Sequence, residues 1–115
     1  LIKLIPCFDI GVFNLNKNYS IQASFPTKIG EFLASGVPIV CNNFNEDIEK
    51  ILSINKIGLI VDFNFEYKYP KVFYNKLIEL KNNDKIKYNC RSFCLNELSI
   101  EYGTNKYNEI YKKYL

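Results

Sequence analysis

The chain contains no histidine, tryptophan or methionine, and it has one arginine, at position 91. Without histidine it lacks the side chain that most often serves as a general base and that commonly binds metals. There is no initiating methionine, and the first residues belong to an apolar stretch. We therefore expect the sequence to be a piece of a longer chain.

Length and charge exclude several classes of protein. A chain of 115 residues allows one domain, covering residues 1–115. The net charge of +3 is small and its lysines are scattered, so neither a nucleic acid nor a charged membrane surface is expected as the main partner. No apolar run approaches the roughly 20 residues that cross a bilayer, and no secretory signal is visible. We expect no transmembrane segment and a cytoplasmic location, free or peripheral at the inner face of the membrane.

The four cysteines, Cys7, Cys41, Cys90 and Cys94, do not form a recognisable metal or disulfide pattern. Zinc sites usually combine two close pairs or add histidines, whereas here only Cys90 and Cys94 are close. We therefore expect no metal site. Cys7 and Cys41 lie in apolar surroundings, which predicts that both are buried in the core.

Short apolar runs alternate with segments of helical periodicity. Strands are predicted over Ile10–Leu15, Val37–Cys41 and Gly58–Asp62. Helices are predicted from Ser24 to the glycine at position 36, and over residues 46–55, 69–81, 85–98 and 100–114. The first eight residues are expected to be helical or irregular, and residues 16–23 to be a loop. Strands separated by helices predict an α/β fold with a partial Rossmann-like parallel sheet of about three strands flanked by helices.

The helix predicted after Ser24 has a start signal, an apolar face and a stop signal. Ser24 is predicted as its N-cap, and Pro26 is tolerated in the first turn. Gly36 takes the position after the last helical turn, and Pro38 follows soon after. Three residues at helical spacing are expected to face the core: Ile29, Phe32 and Leu33.

The start of this helix is the candidate site. In open parallel sheets, ligands bind where strands lead into helix N-termini, and the free amides there suit phosphate. Ser24 and Thr27 add hydroxyls and Lys28 adds a charge, while Glu31, one turn later, could accept hydrogen bonds from a ribose. The same residue types are also typical of simple helix caps and solvated helix faces. The residues alone leave both interpretations open.

Four segments, in order, resemble the retaining nucleotide-sugar glycosyltransferases of the GT-B fold. The segment from Ser24 to Val40 resembles the signature of their donor-binding C-terminal domain, with Glu31, Gly36 and Pro38 at the matching places. Residues 9–12 resemble the strand that precedes the signature, residues 58–61 the strand after the next helix, and residues 107–111 the closing helix.

This resemblance implies that the chain is the second half of a GT-B C-terminal domain, which binds a nucleoside diphosphate sugar. Glu31 matches the glutamate that holds the ribose. The implied contacts to the donor diphosphate are Ser24, Phe25, Thr27 and Lys28. The resemblance implies the nucleotide-sugar donor as a substrate and implies neither a cofactor nor a metal. An N-terminal domain of the same protein would bind the acceptor and supply several catalytic groups, so no catalytic residue is assigned here and this piece is expected to be inactive by itself.

Two departures and two alternatives accompany this interpretation. Ala23 stands where the family often has its first glutamate, and Pro26 replaces a frequent glycine and so removes one N–H donor. One alternative is part of a sugar-nucleotide epimerase of the same architecture. The other is a non-catalytic half-domain that binds another chain through its open sheet edge.

Overall fold

Three short parallel strands form the centre of the fold: β1 (Gly11–Phe13), β2 (Ile39–Cys41) and β3 (Gly58–Ile60). They lie in the order β1-β2-β3 in a computed structural model that describes residues 3–115. Val12 is paired with Val40, and Val40 with Leu59. The prediction of an α/β fold with a three-stranded parallel sheet is confirmed, although each strand is shorter than its apolar run.

The described part of the chain has seven helices and two irregular helical turns besides the sheet. The bounds are a 3₁₀ turn (Ile5–Cys7), α1 (Tyr19–Gln22), α2 (Thr27–Ala34), α3 (Glu46–Asn55), α4 (Phe63–Lys68), α5 (Pro70–Asn82), α6 (Asp84–Phe93), a π-helical segment (Cys94–Leu98) and α7 (Ile100–Tyr114). The expectation for Leu1 and Ile2 lies outside the described residues.

Both faces of the sheet are covered, because alternate residues of β2 point to opposite sides. Ile39 and Cys41 belong to a core shared with α2, α3 and α6, in which Phe44 is fully buried. Val40 points the other way and packs with Leu80 of α5. The prediction that Ile29, Phe32 and Leu33 face inward is confirmed, with Ile29 and Leu33 fully buried and Phe32 packed between the rings of Phe8 and Phe13.

The predicted end of α2 is confirmed and its predicted start is wrong. Gly36 has a positive φ of 76°, and Val37 N–H donates to Phe32 O across the helix end, as in a Schellman motif. At the other end, Pro26 occupies the N-cap position with ψ at 120°, and it has no side chain that could cap. Ser24 is therefore not the N-cap, and its hydroxyl donates to Ile21 O instead.

Two helices lie where the sequence analysis predicted none. Asn18 caps α1 by accepting from Ile21 N–H, so residues 16–23 are not all loop. Asp62 caps α4 in the same manner, by accepting from Asn64 N–H. Both helices are too short to show a helical repeat of apolar residues, and the capping side chain just before each helix is their only strong local signal.

The prediction that Cys7 and Cys41 are buried is right for one of them and wrong for the other. Cys41 is buried as expected, but Cys7 is exposed because the 3₁₀ turn that carries it lies at the surface. Cys90 and Cys94 are also buried, and all four thiols are free.

The glycine at position 58 should be essential to the sheet. A Cβ at Gly58 would lie 2.2 Å from the carbonyl oxygen of Ile39 on the neighbouring strand. We expect Gly58→Ala to lower the free energy of unfolding by about 3 kcal/mol, because a strand must move to relieve the overlap. Gly30→Ala is the control, since its Cβ would meet Phe25 at 3.7 Å, an ordinary contact. It should raise stability by roughly 0.5–1 kcal/mol through helix propensity. Urea unfolding measures both, and equal effects would contradict this account.

Candidate functional site

The segment leading into α2 is fixed by one side chain, Asn45. Asn45 is 4% exposed and is the N-cap of α3, where its Oδ1 accepts from Asp47 N at 2.9 Å and from Ile48 N at 3.1 Å. Its Nδ2 lies 3.0 Å from each of three carbonyl oxygens, those of Ile21, Gln22 and Ser24. One carboxamide therefore joins the start of α3 to the segment that precedes α2.

Three of the five predicted site residues line one groove. Phe25, Thr27 and Glu31 lie along one wall of a cavity of about 600 Å³ between α2 and the π-helical segment. The lining is otherwise mostly apolar or small and comes from α2 and from the α6–α7 region: Gly30, Ala34, Arg91, Cys94, Leu95, Leu98 and Ser99. A mostly apolar cleft with a few convergent polar groups is the usual form of a small-molecule site.

The other two predicted residues lie elsewhere. Ser24 borders a second cavity of about 550 Å³, on the side of the loop that faces α3, and Phe25 separates the two cavities. Lys28 does not line the groove, and its Nζ lies 2.8 Å from Oε2 of Glu31. The structure thus brings Phe25, Thr27 and Glu31 together, attaches Lys28 to them through an ion pair, and leaves Ser24 apart.

The polar end of the groove has donors and an acceptor. In the described chain, no backbone carbonyl accepts from the N–H of Thr27 or Lys28, whereas Ile29 N–H donates to Pro26 O. These two first-turn amides lie at the positive end of the α2 dipole. The lysine is paired with Glu31 across one turn, which offsets its unfavourable position beside the same dipole. The site therefore offers amide donors, one cation and one carboxylate within a single helical turn.

The thiol in the groove is not activated. Burial raises the pKa of Cys94 to about 11, and its Sγ lies 3.8 Å from Gly30 O. Burial also raises the pKa of Cys41 and of Cys90 to about 12. Each of these cysteines is therefore a protonated thiol at neutral pH, and the groove offers no thiolate nucleophile. Among residues 3–115, no group of three or more metal-binding side chains is assembled.

Sequence reasoning missed the second wall of the groove. The wall comes from Arg91 and the π-helical segment, about 60 residues after α2 along the chain, and no local motif announces it. It also missed Asn45, although an asparagine before an acidic first helical turn is a recognisable N-cap signal.

A separate polar cleft lies at the carboxyl ends of the strands. It has a volume of about 490 Å³, and Asn14, Asn43, Asp62 and Asn64 contribute to its lining. Asn42, also in the lining, is already engaged, because its carboxamide both accepts from Leu15 N–H and donates to Leu15 O.

Comparison with protein-family models, with curated proteins and with solved structures gives no match. Within residues 3–115 there is also no helix with the length and apolar character of a membrane span. The residues and their geometry therefore carry the argument about function alone.

The role of Asn45 can be tested by removing only its donor. Aspartate is an equally good N-cap, but Asn45→Asp would place a carboxylate oxygen against three carbonyl oxygens. We expect a loss of about 2–3 kcal/mol in the free energy of unfolding. Asn83→Asp is the matched control, because Asn83 is an exposed N-cap that accepts from Lys85 N. It should change stability by less than about 0.5 kcal/mol. Urea unfolding measures both variants. Similar losses of unfolding free energy in the two would show that the hydrogen bonds from Asn45 to residues 21–24 contribute nothing to stability.

The raised thiol pKa values predict a loss of stability in alkali. Above about pH 9, a thiol such as Cys90 ionises in the unfolded chain but stays protonated in the fold, so stability falls as the pH rises toward 12. Cys90→Ala should therefore reduce the slope of unfolding free energy against pH by about 1.4 kcal/mol per pH unit above 9. An unchanged slope for Cys90→Ala would contradict the assignment.

Proposed function

We propose that the groove beside α2 binds the nucleoside diphosphate part of a sugar nucleotide, and that the chain is the donor-binding part of a GT-B glycosyltransferase. The observation that carries the proposal is the placement of Glu31. Its carboxylate lines the same groove as Thr27 and Phe25, one helical turn from two free amide donors. A nucleotide with its diphosphate at the start of α2 and its ribose one turn along requires amide donors and a carboxylate one helical turn apart.

Each side chain has a distinct task in this pose. The N–H groups of Thr27 and Lys28 would donate to diphosphate oxygens, and the ammonium of Lys28 would add a full charge close by. Glu31 uses Oε2 to accept from Lys28, so Oε1 is the oxygen that would accept from a ribose hydroxyl. Phe25 is 38% exposed at the edge of the groove and offers an apolar surface to the ligand.

We propose no direct diphosphate contact for Ser24, although the resemblance implies one. Its hydroxyl donates to Ile21 O, and its side chain borders the cavity on the far side of the loop. Its contribution would be to hold the loop, through the bond from Asn45 to its carbonyl. The direct diphosphate contacts we propose are therefore those of Thr27 and Lys28.

The proposed role in the reaction is to stabilise the leaving group. When the sugar leaves its nucleoside diphosphate, negative charge grows on the diphosphate, and prearranged amide donors and a cation lower the free energy of that state. The acceptor and several catalytic groups would belong to an N-terminal domain of the same protein. This division of labour assigns binding, and no catalytic residue, to the present chain. The proposal implies a cytoplasmic location, where the chain would encounter sugar nucleotides.

Titration calorimetry with UDP, GDP and ADP tests the proposal on the chain itself. We expect one of them to bind more tightly than the corresponding nucleoside, because the helix start recognises the diphosphate. Glu31→Gln should weaken the binding by roughly 30-fold, the loss of a charge-assisted hydrogen bond worth about 2 kcal/mol. Glu109→Gln is the matched control, because Glu109 is an exposed carboxylate on α7 that is paired with Lys106 as Glu31 is with Lys28 but does not line the groove, and it should bind as the wild type does.

Two results would overturn the proposal. One is the absence of binding by all three nucleotides in protein shown by circular dichroism to be folded. The other is an unchanged affinity in Glu31→Gln, which would remove Glu31 from the site.

A further inference from the structure

Glu66 of α4 is a buried carboxylate with only one of its two oxygens paired. Its side chain is 3% exposed, and its Oε1 accepts from Nζ of Lys76 on α5. Its Oε2 is also buried, and no donor within residues 3–115 reaches it. In the same part of the chain, no other buried side-chain oxygen or nitrogen is left unpaired. A buried charged acceptor costs free energy until a donor satisfies it, so this oxygen marks a place for a donor.

The same glutamate lines a cavity of about 730 Å³ between α4 and α5. Much of the remaining lining consists of three aromatic rings and a proline ring: Phe63, Tyr67, Phe73 and Pro70. The rings of Phe63 and Phe73 meet edge to face, with their centres 6.2 Å apart. Lys76 is not part of this lining and instead borders a smaller cavity beside Leu80. An aromatic cavity with a single carboxylate has the form of a small-molecule site.

The cavity also has a cationic end. Lys68, the last residue of α4, and Pro70, the first residue of α5, both line it. The described part of the chain has four ion pairs, and none of them involves Lys68. At the start of α5, Tyr69 gives no side-chain cap, and no backbone carbonyl among the described residues accepts from Lys71 N–H. A lysine ammonium and the positive end of a helix of 13 residues therefore meet at this cavity.

A tight turn brings the acidic and the cationic ends close together. Tyr69 N–H donates to Glu66 O at 3.2 Å, which closes the turn between the two helices. Glu66 and Pro70 are four residues apart, which is roughly 6 Å along a helix axis. In an α-amino acid the ammonium and the carboxylate are attached to the same carbon atom, and each can add a hydrogen bond of about 2.9 Å. One such zwitterion can therefore reach both ends.

We propose that this cavity binds a free α-amino acid with an aromatic or large aliphatic side chain. The ammonium of the amino acid donates to Oε2 of Glu66, and its carboxylate accepts from Lys68 and from Lys71 N–H. Its side chain packs against the rings of Phe63 and Phe73. Oε2 is covered in this structure, so binding includes a small rotation of side chains, a common change at binding sites. This cavity shares no residue with the groove beside α2, so the inference does not depend on the proposed nucleotide site.

Amide chemical-shift mapping by ¹H–¹⁵N NMR with L-phenylalanine and its two halves tests the class of ligand. Phenethylamine keeps the ring and the ammonium, whereas phenylpropionate keeps the ring and the carboxylate. We expect L-phenylalanine to bind with a Kd of roughly 1 mM and to shift residues 63–73 most. Each half should bind at least about tenfold more weakly, because one charge-assisted hydrogen-bonding end is lost.

Variants of the two charged residues test each end separately. Lys68→Ala should weaken L-phenylalanine binding roughly tenfold and leave phenethylamine binding unchanged. Glu66→Gln should weaken both ligands that carry an ammonium roughly tenfold and leave phenylpropionate binding unchanged. Lys112→Ala is the matched control for Lys68→Ala, because Lys112 is an exposed lysine on α7, and it should bind all three ligands as the wild type does. Lys68 is exposed as well, so its variant reports on the site even where Glu66→Gln fails to fold.

Three results would overturn the proposal. One is the absence of L-phenylalanine shifts at residues 63–73 in protein that circular dichroism shows to be folded. Another is an affinity for phenethylamine or phenylpropionate equal to that for L-phenylalanine, since the cavity would then not recognise a zwitterion. The third is a Lys68→Ala variant that binds L-phenylalanine as well as Lys112→Ala does.

Discussion

The hydrogen bonds of Asn45 are the interaction on which the rest of this structure depends. They connect the helix after β2 to the segment after β1, two parts of the chain that are more than 20 residues apart. Buried polar groups cost free energy unless they are paired, and this side chain uses both ends of its carboxamide. A single residue therefore fixes the loop that starts α2, and α2 supplies one wall of the groove.

The groove owes its chemistry to where α2 begins. Because Pro26 occupies the N-cap position without a capping side chain, the first-turn amides of Thr27 and Lys28 are left for a ligand. Glu31 holds Lys28 beside those amides across one helical turn. The opposite wall is mostly apolar apart from Arg91 and Ser99, and its thiol, Cys94, stays protonated at neutral pH because it is buried. These features suit the binding of a ligand and the stabilisation of its charge better than covalent catalysis by a residue of this protein.

The sequence predicted those parts of the fold whose signals are local. The three-stranded parallel sheet, helix α3 and the glycine that ends α2 follow from apolar runs, helical periodicity and the position of Gly36 after the last helical turn, where the structure has a positive φ. The start of α2 was mispredicted because Ser24 carries a capping residue type while the chain geometry at Pro26 decides the boundary. Cys7 was predicted to be buried from its neighbours, but a surface turn exposes it. The far wall of the groove could not be predicted, because it forms only when α6 and the π-helical segment pack on α2.

The central claim is that ligands bind between α2 and the π-helical segment rather than at the carboxyl ends of the strands. Amide chemical-shift mapping by ¹H–¹⁵N NMR during a titration with a nucleoside diphosphate tests this most directly. The account predicts that the largest shifts occur at Thr27, Lys28 and Glu31, and at residues 94–98 across the groove. Shifts concentrated instead at Asn14, Asn43 and residues 62–64 would contradict it.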